Sequence, residues 1–267
     1  MILTRRRHFF RVAEFFLDEV TPLPEALRDQ GVDVMEFRQF LHPNTYGRWS
    51  QSFTSILDLR EPLDILWNHL DSNTRYDVRR AERDGVKWVD YDTPTDPTCQ
   101  EFVDAYATLT HHRGLPPVTA ETLAPLRDAG MLKFSSTTHS SFPRDVLTWH
   151  AYLVAGERVC LLHSVTVGRE DVSDRSIGQL LGRANRLHHW RDIGHFHKLG
   201  YKLYDLGGWY AGSSDQRRLG INKFKAEFGG VVTPHYNGVH ALSGKGRILV
   251  GLRRARRITS DRAPNDT

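Results

Sequence analysis

The chain has 267 residues, with 36 Lys and Arg against 32 Asp and Glu and a formal net charge of +4. That length holds one large domain or two small ones, and 39% hydrophobic with 10% aromatic residues is enough to fill a core. A charged fraction of 25% and a mean hydropathy of -0.48 exclude a membrane-embedded chain, collagen, low complexity and wholesale disorder.

The arginine-rich start, Thr4 to Arg11, lacks the apolar run and small-residue cleavage site of a signal peptide, so the expected compartment is the cytoplasm. Cys99 and Cys160 cannot build a disulfide framework and show no C-x-x-C spacing, which fits a reducing compartment. The basic residues are 29 Arg and 7 Lys, and guanidinium forks suit phosphates.

Residues 1 to 50 mix Phe9, Phe10, Phe15 and Phe16 with several prolines and show no legible pattern. Phe53 to Leu59 then alternates as a strand, and Glu61-Pro62 opens a helix with Leu63, Leu66, Trp67 and Leu70 at helical spacing. Asp71 to Gly85 reads as a capped helix, followed by a strand from Val86 to Tyr91. This helix is either a salt-laced surface element or a place where Arg75 and Arg79 meet phosphates.

Thr93 to Pro97 reads as a linker, placing a domain boundary near Asp92. Beyond it come helices from Glu101 to His112 and Ala120 to Ala129, then strands near Leu132 to Thr138, Val146 to Val154 and Arg158 to Val167, the last two joined as a hairpin. Ile177, Leu180, Leu181, Ala184 and Leu187 form the stripe of a long helix that Gly200 ends. Tyr201 to Leu206 is a buried strand, Gly207-Gly208 a loop, Leu219 to Phe228 a helix, and Val231 to Tyr236 a final strand. Hairpins followed by strand and helix alternation predict an α/β fold with a mixed sheet. From Ser243 to Arg257 there are six basic residues and no acid, either a solvated helix face or a nucleic-acid contact through Arg253, Arg254, Arg256 and Arg257.

Cys160 and His163 lie three apart on a predicted strand, and strict alternation sends them to opposite faces, which argues against a thiol and base pair. His188, His189, His195 and His197 cluster, but no carboxylate or thiolate is evident at ligand spacing, so no metal is expected. Neither a P-loop nor G-x-G-x-x-G occurs. Arg175-Ser176-Ile177-Gly178 is similar to the loop with which acetyltransferases cradle the pyrophosphate of coenzyme A, but Leu180 replaces its closing small residue. On the helix from Leu219, Ile221, Phe224 and Phe228 cluster on one side and Lys225 lies about 70° from their centre. Lys225 is either a snorkelling surface lysine or a cation pointing into a cleft, where its field on a developing oxyanion is strong. Asp205 ends a buried strand beside Gly207-Gly208, either to line a substrate pocket or to cap the loop's amides.

Four segments in order carry a resemblance: Arg75-Tyr76-Asp77-Val78-Arg79-Arg80-Ala81-Glu82, Gly182-Arg183-Ala184-Asn185-Arg186, Tyr204-Asp205-Leu206-Gly207-Gly208, and Phe224-Lys225-Ala226-Glu227-Phe228-Gly229. Over roughly residues 55 to 240 they resemble the Fem-type aminoacyl transferases, the peptidoglycan bridge enzymes related to the GNAT acyltransferases. The resemblance implies a GNAT-like α/β fold present twice, here a reduced N-terminal unit (1–92), a complete catalytic unit (93–240) and a basic C-terminal segment (241–267). It implies transfer of an amino acid from aminoacyl-tRNA, as co-substrate, to the free amine of a peptide, without metal, nucleotide cofactor or obligatory protein partner. It also implies that Lys225 of the Phe224-Lys225 pair steadies the oxyanion, with Tyr204, Asp205, Gly207, Gly208, Trp209, Tyr210, Arg183 and Asn185 near the substrate. The short first unit makes a small acceptor plausible, as in compact members that extend antibiotic peptides, beside a peptidoglycan precursor. Two other readings stand beside this one: a coenzyme A-dependent N-acyltransferase on the same fold, and a catalytically silent RNA-binding or scaffold protein.

Overall fold

A computed structural model describes residues 3–7, 9–17, 21–113, 116–140, 146–167 and 175–260, without the side chains of 7, 112, 113 and 253–260. The chain forms two compact units, one of residues 1–52 with 234–267, the other of residues 53–233. Residues 53–92, which the sequence places with the N-terminal unit, therefore pack with 93–233, and the divisions fall at 52/53 and 233/234 rather than near Asp92.

The first unit holds β1 (Leu3–Arg7), β2 (Phe10–Phe16), α1 (Pro24–Asp29), β3 (Val34–Phe40), most of β10 (Val231–Ala241) and α8 (Gly244–Ser260). β1 and β2 are antiparallel, β2 and β3 parallel, and β10 lies antiparallel to β3. One face carries Ala13, Phe15, Met35 and Phe37 into a core with Leu27 and Phe40. On the other, Glu14 and Glu36 are register partners and almost fully buried. Two carboxylates so placed repel each other, and arginines offset this: Arg5 meets Glu14 at 2.6 Å and Arg38 meets Glu36 at 2.5 Å.

The second unit holds the larger part of β4 (Arg48–Asp58), α2 (Leu63–His69), α3 (Ser72–Arg83), β5 (Lys87–Tyr91), α4 (Asp96–Arg113), α5 (Ala120–Asp128), β6 (Leu132–Thr138), β7 (Val146–Ala155), β8 (Arg158–Thr166), α6 (Arg175–Lys198), β9 (Leu203–Trp209) and α7 (Gln216–Ala226). Its strands lie in the order β4-β9-β8-β7-β6-β5, antiparallel except between β8 and β9. Asp71 caps α3 through its carboxylate on the Asn73 N–H, as the sequence predicts. The predicted linker is a short loop, because α4 starts at Asp96 with Pro97 in its first turn, where proline costs no internal hydrogen bond.

Helices cover both faces of this sheet. On one side α4 and α5 pack Phe102, Tyr106 and Leu123 against Phe134, Trp149, Ala151 and Val165. On the other, Leu66 of α2 and Leu70 just after it join Ile193 and Phe196 of α6, Phe228, and Tyr152, Val159, Tyr204 and Leu206 of the strands. Leu181, Ala184 and Leu187 of α6 meet Val78 and Ala81 of α3, so the predicted stripe is the buried face of α6.

Candidate functional site

The parallel strands β8 and β9 pair only at Arg158↔Leu203, Val159↔Tyr204 and Cys160↔Asp205. Both run on beyond these residues, to Thr166 and Trp209, so the ladder between them ends part-way and the sheet opens. Strand edges that separate present backbone groups which a ligand can satisfy.

Gly207 stands at this opening with φ +82°, and a Cβ there would lie 3.1 Å from the Leu161 carbonyl oxygen and 3.8 Å from Lys225 Nζ. Only glycine takes this conformation without strain, and any side chain would also crowd the Leu161 carbonyl. The β9 strand runs through Gly207 and Gly208, where the sequence predicts a loop. The turn is fixed by Asp205, which is fully buried: its carboxylate accepts the Gly207 N–H at 2.7 Å and the Thr54 hydroxyl, and it pairs with the buried Arg158 guanidinium. Of the two roles the sequence leaves open for Asp205, the capping contact is the one observed.

Lys225, half-buried on α7, donates from Nζ to the Gly208 carbonyl at 2.5 Å. Burial pushes its pKa down, while Asp205 and Cys160 push the other way, and the balance leaves it lowered. Its neighbour Phe224 packs against Phe228 and His189, with the Arg186 guanidinium 5.3 Å over its ring.

Behind the opening lies a buried polar chain. Asp192, fully buried on α6, accepts from Trp88 Nε1 at 2.8 Å, from the Tyr152 hydroxyl at 2.6 Å and from His150 Nδ1 at 2.8 Å. Because the single O–H of Tyr152 goes to that carboxylate, the 2.7 Å contact between Tyr152 and Tyr204 has Tyr204 as donor. The Tyr204 oxygen is then left to accept, so at 2.9 Å His189 Nδ1 carries the proton. One carboxylate thus sets the direction of every bond out to His189. His188 stacks on His150 at 3.6 Å and takes its hydrogen bonds from the sheet, Nδ1 with Thr148 at 2.6 Å and Nε2 with Ser135 at 2.7 Å. Burial first, then the neighbouring His150, holds both His188 and His189 well below the ordinary histidine pKa.

Two sequence readings need correction. Against the expectation of no carboxylate at ligand spacing, Asp192 stands four residues after His188 on α6. Together with His150 from β7 it brings ligand atoms within 4.8 Å of one another, although the histidine nitrogens already have protein partners in Asn185, Ser135 and Thr148. The alternation argument for Cys160 and His163 also fails. The β7–β8 register shifts between Ala151 and Tyr152, so Leu162 is an extra residue, and Cys160 and His163 pair with Leu153 and Ala151 on the same face. They still make no dyad. Burial raises the Cys160 thiol well above its usual pKa, with Asp205 adding to it, and burial pushes His163 down to about 4 where it packs on Tyr106 and Phe102.

Asp205, Gly207, Gly208 and Lys225 therefore meet at the opening, and fully buried Tyr204 belongs to the chain behind it. Trp209 is half-buried at the end of β9, and Tyr210 exchanges backbone hydrogen bonds with the Asn222 amide at 3.0 and 2.7 Å. Asn185 is held to His150 Nε2 at 3.2 Å. Arg183 pairs instead with Asp84 at 3.0 Å. Arg75 donates to the Leu70 and Asn68 carbonyls at 2.5 and 3.1 Å, while exposed Arg79 lies 5.2 Å over the Trp67 ring. The side chains of Arg253, Arg254, Arg256 and Arg257 lie outside the described residues. Thr54, Tyr152, Arg158 and Asp192 carry no local signal for these roles, because the contacts Thr54–Asp205, Arg158–Asp205 and Tyr152–Asp192 join residues at least 40 apart in the chain.

No protein-family model matches the sequence, and no curated protein matches it. Solved structures do. FemX aligns with a TM-score of 0.60 at 11% identity, over 88% of this chain and 83% of that one. The C-terminal domain of a putative lysylphosphatidylglycerol synthetase from Agrobacterium fabrum aligns with a TM-score of 0.50 at 14% identity, over 93% and 83%. L-PGS from Bacillus licheniformis gives a TM-score of 0.52 at 12% identity, over 94% and 84%. At such identities the likeness is one of architecture: the chain has a mixed-sheet α/β fold like that of FemX, the fold expected from the resemblance of its sequence segments.

Proposed function

We propose that this protein is an aminoacyl-tRNA-dependent aminoacyltransferase that joins a tRNA-borne amino acid to the free amine of a peptide acceptor. The observation that supports this most is the Lys225 ammonium at the place where β8 and β9 separate, beside Gly207 and Gly208. When an amine attacks the ester carbonyl carbon, negative charge gathers on the carbonyl oxygen. A lysine ammonium has three N–H donors; one is on the Gly208 carbonyl, and two remain for that oxygen. The C–N bond forms, the ester C–O bond to the ribose breaks, and the amine proton passes to the departing ribose oxygen, directly or through water. Direct transfer suits a site whose cysteine is a buried, high-pKa thiol.

In this reading aminoacyl-tRNA is a co-substrate and not a resident cofactor. Phe224, Trp209, Tyr210 and Asn185 flank the reacting groups, and Arg79, with Arg75, supplies phosphate contact. The acceptor is a small antibiotic-type peptide or a peptidoglycan precursor. Charged tRNAs and candidate peptide amines mixed with the protein are expected to yield extended peptide in a reaction that RNase stops. Extension that survives RNase, together with thermal stabilisation by acetyl-coenzyme A, would move the assignment to a coenzyme A-dependent N-acyltransferase.

A further inference from the structure

The C-terminal helix α8 is pinned at its first turn. Gly246 approaches so closely that a Cβ would sit 2.1 Å from the Asp33 carbonyl oxygen. Ser243 Oγ donates to the Asp33 carboxylate at 2.5 Å and accepts the Gly246 N–H at 3.1 Å. These contacts fix which side of the helix turns inward. At about 100° per residue, Ile248 falls nearly opposite Gly246, with Leu252 one turn further along the same outer face. Their side chains are 63% and 59% exposed, among the most exposed large apolar groups described.

Basic residues border this stripe. Exposed Lys245 and Arg247 lie on its two flanks. No acid occurs from Ser243 to Arg257. Apolar side chains flanked by cations, on a segment without acids, are the arrangement by which a helix lies in a bilayer interface, apolar groups among the acyl chains and cations at the phosphates.

We propose that the outer face of α8 binds the surface of bilayers containing anionic phospholipid. An RNA partner would use the cations and leave Ile248 and Leu252 in water. The helix also has no aromatic residue on which bases can stack, since Tyr236 is the last aromatic in the chain. Membrane binding of this kind is peripheral; no helix among the described residues is long and apolar enough to cross a membrane.

Sedimentation of the full chain with vesicles tests this. At low salt the protein is expected to pellet with phosphatidylcholine vesicles containing about one third phosphatidylglycerol, and to stay in solution with phosphatidylcholine alone. The double variant Ile248→Ser, Leu252→Ser changes only exposed positions, so its circular dichroism should match the parent, while its vesicle affinity falls by about tenfold or more. A parent protein that ignores the anionic vesicles overturns the proposal. So does a double variant that pellets equally well, the outcome for a helix serving only as a polycation for RNA. Neither result bears on the transfer chemistry at Lys225.

Discussion

Lys225 stands where a side chain on the border of a helix's apolar face can reach a bound substrate. Phe224 and Phe228 pack into the core, which fixes α7 so that the intervening lysine reaches Gly208 without being immersed. A cation held this way meets a developing oxyanion without reorganisation, and losing one such donor typically costs about 100-fold in rate or more. Lys225→Ala should therefore reduce turnover by about 100-fold while the melting temperature moves little. The pH profile gives a second check. The cationic form is the useful one, and its folded pKa is lowered by burial, so turnover should fall on the alkaline side at a pH below lysine's ordinary 10.5. An alkaline limb at or above that value would separate Lys225 from the chemistry.

Asp192 offers a different lesson at the same scale. Its carboxylate accepts three hydrogen bonds, and through Tyr152 and Tyr204 it dictates which nitrogen of His189 is protonated. Asparagine has nearly the same shape, but it offers one acceptor and turns the other arm into a donor. Asp192→Asn should destabilise the protein by about 3 kcal/mol, since a buried network is left with donors facing donors. Nitrogen NMR should then show His189 losing its uniform Nδ1–H tautomer; an unchanged tautomer would mean the chain does not run in the direction deduced.

At the scale of elements, α6 and β7 bury His188 and His189 neutral, hydrogen-bonded to Ser135, Thr148 and Tyr204. Their folded pKa values lie well below 6.5, so between the folded pKa and about 6.5 only the unfolded chain binds the protons. Stability must then fall as pH drops below about 6.5, by about 1.4 kcal/mol per pH unit for each histidine in that window. Melting curves from pH 7.5 to about 5 measure this directly. A flat profile would show that these rings are already charged in the native state.

The elements also show where sequence patterning succeeds. Isoleucine and leucine at three- and four-residue intervals from Ile177 announce α6, and the strands from Leu132 to Val167 announce themselves by β-branched runs and the Ala155-Gly156-Glu157 turn. In β2 and β3 the same method is blind. Both strands are buried on two faces, Glu14 and Glu36 occupy inward positions, and Leu17 and Gln39 have φ of 54° and 57°, so neither alternation nor composition marks the strands. The Leu162 bulge in β8 defeated face assignment for a related reason: one extra residue reverses the parity of all that follow.

For the molecule as a whole, the legible part of the candidate site is the part encoded locally. Gly207, Gly208 and the Phe224-Lys225 pair are short motifs beside recognisable elements, whereas Arg158, Tyr152 and Asp192 reach their partners only through the order of β7, β8 and β9 and the packing of α6. Charge is legible only as a total. An excess of 36 over 32 creates little long-range field, so any hold on tRNA must come from a few local contacts and not from overall attraction. Three phosphate contacts would weaken binding about 40-fold between 50 and 200 mM salt. Arg79, exposed yet braced on Trp67, is the contact in the second unit best placed to contribute one of them. Filter binding of charged tRNA across that salt range should show such a slope, and Arg79→Ala should flatten it by about one phosphate's worth. Affinity that hardly changes with salt would remove the phosphate contacts on which the tRNA-dependent reading relies, and would leave the opening between β8 and β9 to a smaller acyl donor.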